Sequence, residues 1–168
     1  MTNESAESTG AAPKRRGVRL TSEEAWAMLH SNHTGIFTSL RRDGVPIALP
    51  VWYAVIDGNV YMTTPGQSKK VARIRHDSRS SFLVESGLKW AELKAVHLTG
   101  TASILDVEAE SAIADQVRDQ LDTKYVAYRT APRAMSDATR KHYGSSSLVR
   151  FVPDERIVSW NNALLGLS

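Results

Sequence analysis

After residue 34 the chain is built from short runs in which apolar and polar positions alternate, broken by glycine turns. A two-residue period of this kind sends successive side chains to opposite faces of a strand. Gly35 to Leu40 is the first predicted strand, and it ends at the hairpin turn Arg41-Arg42-Asp43-Gly44. Val45 to Ile56 follows as a long extended run. It holds Pro46 and Pro50, which mark it as an edge strand or as interrupted near Pro50. Asp57-Gly58 turns the chain into a third strand, Asn59 to Thr64. Asp-Gly between apolar runs is a strong hairpin signal, because the favoured two-residue turn needs positive φ at both central positions. Further strands are predicted over Ser80 to Glu85, over Leu88 to Leu105 with a bend near Gly100, and over Leu148 to Val152 and Arg156 to Trp160 around Pro153.

Helical patterning is confined to four places. Thr21-Ser22-Glu23-Glu24 is a capping box that starts a helix reaching about His30, with Ala25, Met28 and Leu29 on its apolar face. A short basic helix capped by Ser68 runs to about 76, with Val71 and Ile74 turned inward. Asp106 caps a predicted helix over 107–125, where Ala109, Ile113, Val117 and Leu121 share one face. Ser136 starts a fourth, short helix. About six strands with few and peripheral helices predict a mainly β, antiparallel barrel rather than a doubly wound parallel sheet. Residues 1–17 are polar and aperiodic and are expected to form a disordered arm, leaving 18–168 as one folded domain.

The chemistry concentrates where the third strand hands over to the basic helix. Val60 to His76 reads Val-Tyr-Met-Thr-Thr-Pro-Gly-Gln-Ser-Lys-Lys-Val-Ala-Arg-Ile-Arg-His. A strand running into a helix start aims unpaired N–H groups and the positive end of the helix dipole at one spot. Hydroxyls of Thr63, Thr64 and Ser68 and the ammonium groups of Lys69 and Lys70 surround that spot. Cations are the wrong sign for a helix N-terminus, so Lys69 and Lys70 oppose the helix until an anion arrives.

Composition narrows the partner. Across 168 residues the net charge is only +3, yet residues 69–79 hold Lys69, Lys70, Arg73, Arg75 and Arg79 against Asp77 alone. So local an excess suits a small polyanion better than a nucleic-acid duplex, which wants a broad basic face. Cysteine is absent, which excludes disulfides, thiolate nucleophiles and cysteine-ligated metals. No metal site is expected, since the five histidines (30, 33, 76, 97 and 142) lack helical ligand spacing. No apolar stretch approaches a membrane span, and the N-terminus lacks a signal-peptide core, so the expected compartment is the cytoplasm.

The order of short helix, two Asp-Gly hairpins, Thr-Thr-Pro-Gly-Gln-Ser-Lys-Lys, long bent strand, helix and a closing Ile-Val-Ser-Trp resembles the pyridoxamine 5′-phosphate oxidase-like split β-barrel superfamily. The resemblance runs from about residue 21 to 161. It implies a six-stranded antiparallel split barrel with peripheral helices, acting as a homodimer with the cofactor in a groove at the two-fold interface. Thr63, Ser68, Lys69 and Lys70 match the family's phosphate-binding positions. Pro50-Val51-Trp52-Tyr53 matches the strand that lines the isoalloxazine ring. The cofactor-binding set implied is therefore Pro50, Val51, Trp52, Met62, Thr63, Thr64, Ser68, Lys69, Lys70 and Arg73.

Ser-Lys-Lys-Val-Ala-Arg-Ile-Arg-His-Asp-Ser-Arg is similar to the branch that uses the deazaflavin coenzyme F420, the flavin/deazaflavin oxidoreductases of B type. Ile74 stands where that branch usually has Leu, and Ser78 where it has Pro. The C-terminus, Asn-Asn-Ala-Leu-Leu-Gly-Leu-Ser, lacks the Arg-Leu motif with which vitamin B6 oxidases contact their substrate. The resemblance implies an F420-dependent reductase passing a hydride to a conjugated small molecule. The alternatives are an FMN-dependent oxidoreductase and a non-enzymatic cofactor or haem carrier of the same fold. No catalytic side chain is identified. His97, Tyr53, Tyr143 and His142 are proton-donor candidates by residue type only, and His97, in an apolar strand, reads better as structural. Trp90 and Lys94 are candidates to reach a partner subunit's cofactor.

Overall fold

The computed structural model describes residues 17–166, so nearly all of the expected arm lies outside the described residues. The chain runs α1 (Ser22–Ser31), β1 (Gly35–Leu40), β2 (Pro46–Val51), β3 (Ala54–Ile56), β4 (Asn59–Pro65), α2 (Lys69–His76), β5 (Arg79–Ser86), β6 (Lys94–Ile104), α3 (Ser111–Tyr125), α4 (Asp137–Tyr143) and β7 (Ser146–Asn161). All seven strands join one antiparallel sheet in the order β2-β1-β5-β6-β7-β4-β3. The two end strands, β2 and β3, are separated in sequence only by Trp52 and Tyr53. The sheet must therefore curl until its edges meet at that link, which makes a half-barrel.

The count is seven strands rather than six, and two local features explain it. The run 45–56 breaks at Trp52-Tyr53, because the Tyr53 N–H donates to the Tyr125 hydroxyl (3.0 Å) instead of to a neighbouring strand. By contrast, the two strands expected around Pro153 are one continuous β7. Pro153 faces Gly100 where the β6–β7 register slips between Leu98 and Gly100, a bulge at which a missing N–H costs the ladder nothing. A Cβ on Gly100 would overlap the Val152 carbonyl, so only glycine fits this crossing.

Two other boundaries differ from expectation. The strand expected from Leu88 starts only at Lys94. Gly87 turns with φ 101°, and Glu92 Oε2 accepts from the N–H groups of Leu88 and Lys89 (3.3 Å each), closing a 3-10 turn. The helix expected over 107–125 starts at Ser111. Asp106 does bind two N–H groups, of Glu108 and Ala109 (3.1 Å each), but these form a separate turn ahead of the helix. Ala109 is consequently exposed, and the buried face of α3 is Ala114, Val117, Leu121 and Tyr125.

Packing follows the curl. Inside it, Phe37, Tyr53, Phe82, Leu98 and Phe151 are closed off from solvent together with Ala25 and Leu29 of α1. The capping box is formed as expected, with the Thr21 hydroxyl accepting from Glu24 N (3.2 Å) and the Glu24 carboxylate from Thr21 N (2.8 Å). A second cluster, under α3, joins Ile56, Tyr61, Leu121 and Tyr125. Among the described residues no helix is long and apolar enough to cross a membrane.

Candidate cofactor groove

Where the curled edges approach, they leave a groove. β3 pairs with β4 only as far as Ala54–Tyr61, whereas β7 continues along β4 to Pro65–Ser146. From Met62 onward the other edge of β4 has no strand beside it. Thr34, Pro50, Val51, Trp52, Thr63, Thr64, Pro65 and Lys70 line the resulting groove, of about 520 Å³.

At its head, Ser68 caps α2 in the expected way, its hydroxyl accepting from Val71 N at 3.3 Å. The Thr64 hydroxyl, on a residue only 6% exposed, lies 3.1 Å from the Ser68 hydroxyl. One of the two hydroxyl hydrogens makes that bond, whichever group donates, and the other is left to bind a ligand. The N–H groups of Lys69 and Lys70 have no acceptor within the helix, and no acid occupies its first turn. Lys70 is half-buried, with its ammonium 5.9 Å from the Phe37 ring centre. Burial, and secondarily the charge of Arg73, hold its pKa below the ordinary lysine value. An unpaired ammonium half out of water beside a helix N-terminus is an arrangement that an anion relieves.

The site residues expected from sequence divide into three groups. Pro50, Val51, Trp52, Thr63, Thr64 and Lys70 share the groove, with Ser68 bonded behind them. The Met62 side chain is fully buried in the core, so it does not line the groove. Lys69 and Arg73 line a second groove of about 680 Å³ with Arg41, Arg42, Asp43, Ile47, Ala72 and His76. Arg73 is aimed there by a bond from its Nε to the hydroxyl of Ser39 (2.9 Å), a residue 1% exposed. Asp43 is committed to Arg41 (2.9 Å) and to the N–H of Val45 (3.2 Å). Arg79 belongs to neither groove; it is tied to Asp77 (2.7 Å), whose carboxyl it pulls down to about 2.

Trp52, 37% exposed, is backed by an aromatic cluster. Its indole stacks on Tyr125 with ring centres 4.5 Å apart and planes 4° from parallel. The Tyr125 hydroxyl reaches the carbonyls of His33 (2.8 Å) and Tyr53 (3.1 Å) and accepts from Tyr53 N. Lys124 lies 4.1 Å above the Tyr53 ring centre, and burial lowers its pKa to about 8. A flat ring held at Trp52 would thus meet a braced wall. The groove therefore fits both parts of a flavin-type cofactor: an anion at Lys70 and Ser68, and a planar ring at Trp52.

The chain also matches known proteins. The family model described as pyridoxamine 5′-phosphate oxidase covers residues 21–155. The chain belongs to the pyridoxamine 5′-phosphate oxidase family. Its fold is shared by a conserved hypothetical protein of Mycobacterium tuberculosis, at 28% identity, with 94% of each chain covered and a TM-score of 0.75. A FAD-binding protein of Mesorhizobium loti is also similar, at 19% identity, covering 83% of this chain and 94% of the other, TM-score 0.65. So is a protein described as an F420 reductase, at 15% identity, covering 82% and 98%, TM-score 0.59. No curated protein matches the chain.

Of the proton-donor candidates, Tyr53 is fully buried, and its hydroxyl donates within reach of the carbonyls of Leu29 (2.6 Å) and Asn32 (3.1 Å), a structural role. His97 lines a separate hollow with Thr38, Arg79, Thr99 and Asp154. His142 and Tyr143 lie in α4, and their side chains are outside the description. Sequence reasoning missed Arg41 and Arg42, which it read only as hairpin turn. Two adjacent arginines ahead of an Asp-Gly turn were the available signal. It also missed Thr34 and the Tyr125 backing of Trp52, for which no local pattern exists.

Proposed function

We propose that this protein is an F420-dependent oxidoreductase, a cytoplasmic homodimer that reduces a conjugated small molecule. The observation that carries this reading is the unpaired, half-buried Lys70 beside the α2 N-terminus, at the end of a groove walled by Trp52. Lys70, Ser68 and Thr64 would hold the cofactor phosphate, and Pro50, Val51 and Trp52 its ring. The reduced ring supplies a hydride when bound; the chain's own residues orient it and keep water from one face.

F420 is favoured over FMN by the second groove. FMN carries one phosphate, which Lys70, Ser68 and the helix N-terminus already satisfy. Arg41, Arg42, Lys69 and Arg73 lie beyond it, against the single acid Asp43, and F420 adds a phosphodiester and a chain of glutamates. The neighbour described as an F420 reductase supports the same choice. The exposed side chains of Val152, Val158 and Trp160 on β7 offer an apolar face for the second subunit.

Titration of the purified protein with F420 and with FMN, followed by fluorescence, tests the reading. Saturable F420 binding is expected, weakened about tenfold to a hundredfold in Lys70→Ala, as befits one charge-assisted hydrogen bond. Tighter FMN binding would assign the protein to the FMN-dependent class instead. Affinity for both cofactors unchanged in Lys70→Ala would remove the phosphate assignment.

A further inference from the structure

We propose that His33 and Thr34 deliver the proton that hydride reduction in the groove requires. The inference rests on the function proposed above and adds the group it lacks, since reducing a conjugated acceptor consumes one hydride and one proton. Thr34 lines the groove alongside Pro50, Trp52, Thr63 and Lys70. Its Oγ1 lies 3.1 Å from His33 Nδ1. Both residues are exposed, so the pair stands between the groove and bulk water.

The imidazole is held in place although it is exposed. Three rings meet it edge to face: Tyr128 at 4.4 Å, Tyr125 at 5.1 Å and Trp52 at 6.0 Å between centres. Its backbone carbonyl accepts from the Tyr125 hydroxyl at 2.8 Å. Trp52 also walls the groove, so one cluster fixes both the surface for a planar ring and the neighbouring histidine. The charged group packed on this cluster is Lys124, 5.5 Å from the Tyr125 ring centre; Arg129, next in the chain to Tyr128, is tied to Asp122 at 2.6 Å. No carboxylate is bonded to the imidazole among the described residues.

The step balances as follows. As a hydride from the reduced cofactor forms a C–H bond on the acceptor, its conjugated π pair moves to the carbonyl oxygen. The Thr34 hydroxyl gives that oxygen its proton and takes the Nδ1 proton of His33, which water then restores. The acceptor is reduced and the cofactor oxidised. Imidazole is the side chain suited to such exchange near neutral pH.

Two measurements test the pair. In 15N-labelled protein without cofactor, the His33 Nδ1 resonance is expected to shift in Thr34→Val, which removes the hydroxyl that faces it at 3.1 Å. A ring spectrum unchanged by the substitution overturns the proposal. With reduced F420 or FMN and a quinone such as menadione as acceptor, His33→Phe keeps a ring in the cluster but has no proton to give. Its kcat at pH 7 is expected to fall at least about tenfold. The alkaline limb of the pH profile should disappear, with KM and cofactor affinity unchanged. Turnover and pH profile like wild type in His33→Phe would overturn the proposal while leaving the cofactor reading intact. If wild type binds neither cofactor, that reading fails by itself and the ring spectrum still decides the His33–Thr34 contact.

Discussion

Replacing Tyr125 by Phe removes a single oxygen from the centre of the site's supporting wall. That oxygen accepts from the N–H of Tyr53 (3.0 Å) and donates within reach of the carbonyls of His33 (2.8 Å) and Tyr53 (3.1 Å). Tyr53 and Tyr125 are both fully buried, so water cannot replace the lost partner. One net hydrogen bond is worth about 1 kcal/mol, and a buried donor left without an acceptor costs about 1–3 kcal/mol more. The expected loss is therefore about 2–4 kcal/mol, or about 4–16 °C in Tm for a chain of this length. Tyr53→Phe is the internal control, because its hydroxyl only donates, to the carbonyls of Leu29 (2.6 Å) or Asn32 (3.1 Å), and strands no N–H. It should cost about 1 kcal/mol. Urea and thermal unfolding of both variants, followed by circular dichroism, give the comparison. The reasoning fails if Tyr125→Phe costs no more than Tyr53→Phe, since the account depends on the stranded Tyr53 N–H.

Stability should depend on pH in a definite direction. Burial lowers Lys124 from 10.5 to about 8 and lowers Lys70 in the same sense. Above pH 8 the folded chain releases a proton that the unfolded chain keeps, so stability should rise towards pH 10. Beyond that, Tyr53 and Tyr125, whose hydroxyls burial keeps protonated, reverse the trend. Urea midpoints in Lys124→Met should show a shallower rise, and a wild-type midpoint falling between pH 8 and 9.5 would contradict the assignment. Gly100→Ala should destabilise by about 1–3 kcal/mol or more, because the methyl meets the Val152 carbonyl and backbone cannot move aside cheaply; a chemical melt checks it. The double variant Arg42→Ser, Arg73→Ser should weaken F420 binding at least tenfold and leave FMN binding within about twofold, which parallel titrations would show.

Local rules made much of this legible. Asp57 and Gly58 adopt φ 48° and 72°, as the hairpin signal requires, and the predicted helix starts Thr21, Ser68 and Ser136 each accept from the third helical N–H, while Asp106 caps only a separate turn. Those features depend on neighbours within four residues. What sequence could not show depends on residues far apart. Pro50 announces an interruption nearby, but its place at Trp52-Tyr53 needs the hydroxyl of Tyr125, 72 residues on. Continuity of β7 through Pro153 needs its extra residues between Pro153 and Ile157 to bulge opposite Leu98 and Gly100 of β6. Likewise, Lys69 and Lys70 are adjacent in the chain yet serve different grooves, because consecutive helical positions point about 100° apart. The resemblance implies Met62 in the site, but a strand sends alternate residues inward, and its side chain falls to the core.

The two prolines of β2 limit what can join this sheet. Pro46 and Pro50 register with Leu40 and Ile36 of β1 across an otherwise regular ladder. Having no N–H to give β1, they must occupy the non-bonded pairs, where backbone donors point outward. Of the three outward positions 46, 48 and 50, only Ala48 retains a donor. A foreign strand approaching that margin would find carbonyls but a single donor, too few for a ladder, so the seam can stay wide enough to admit a planar guest without inviting edge-to-edge polymerisation of the sheet.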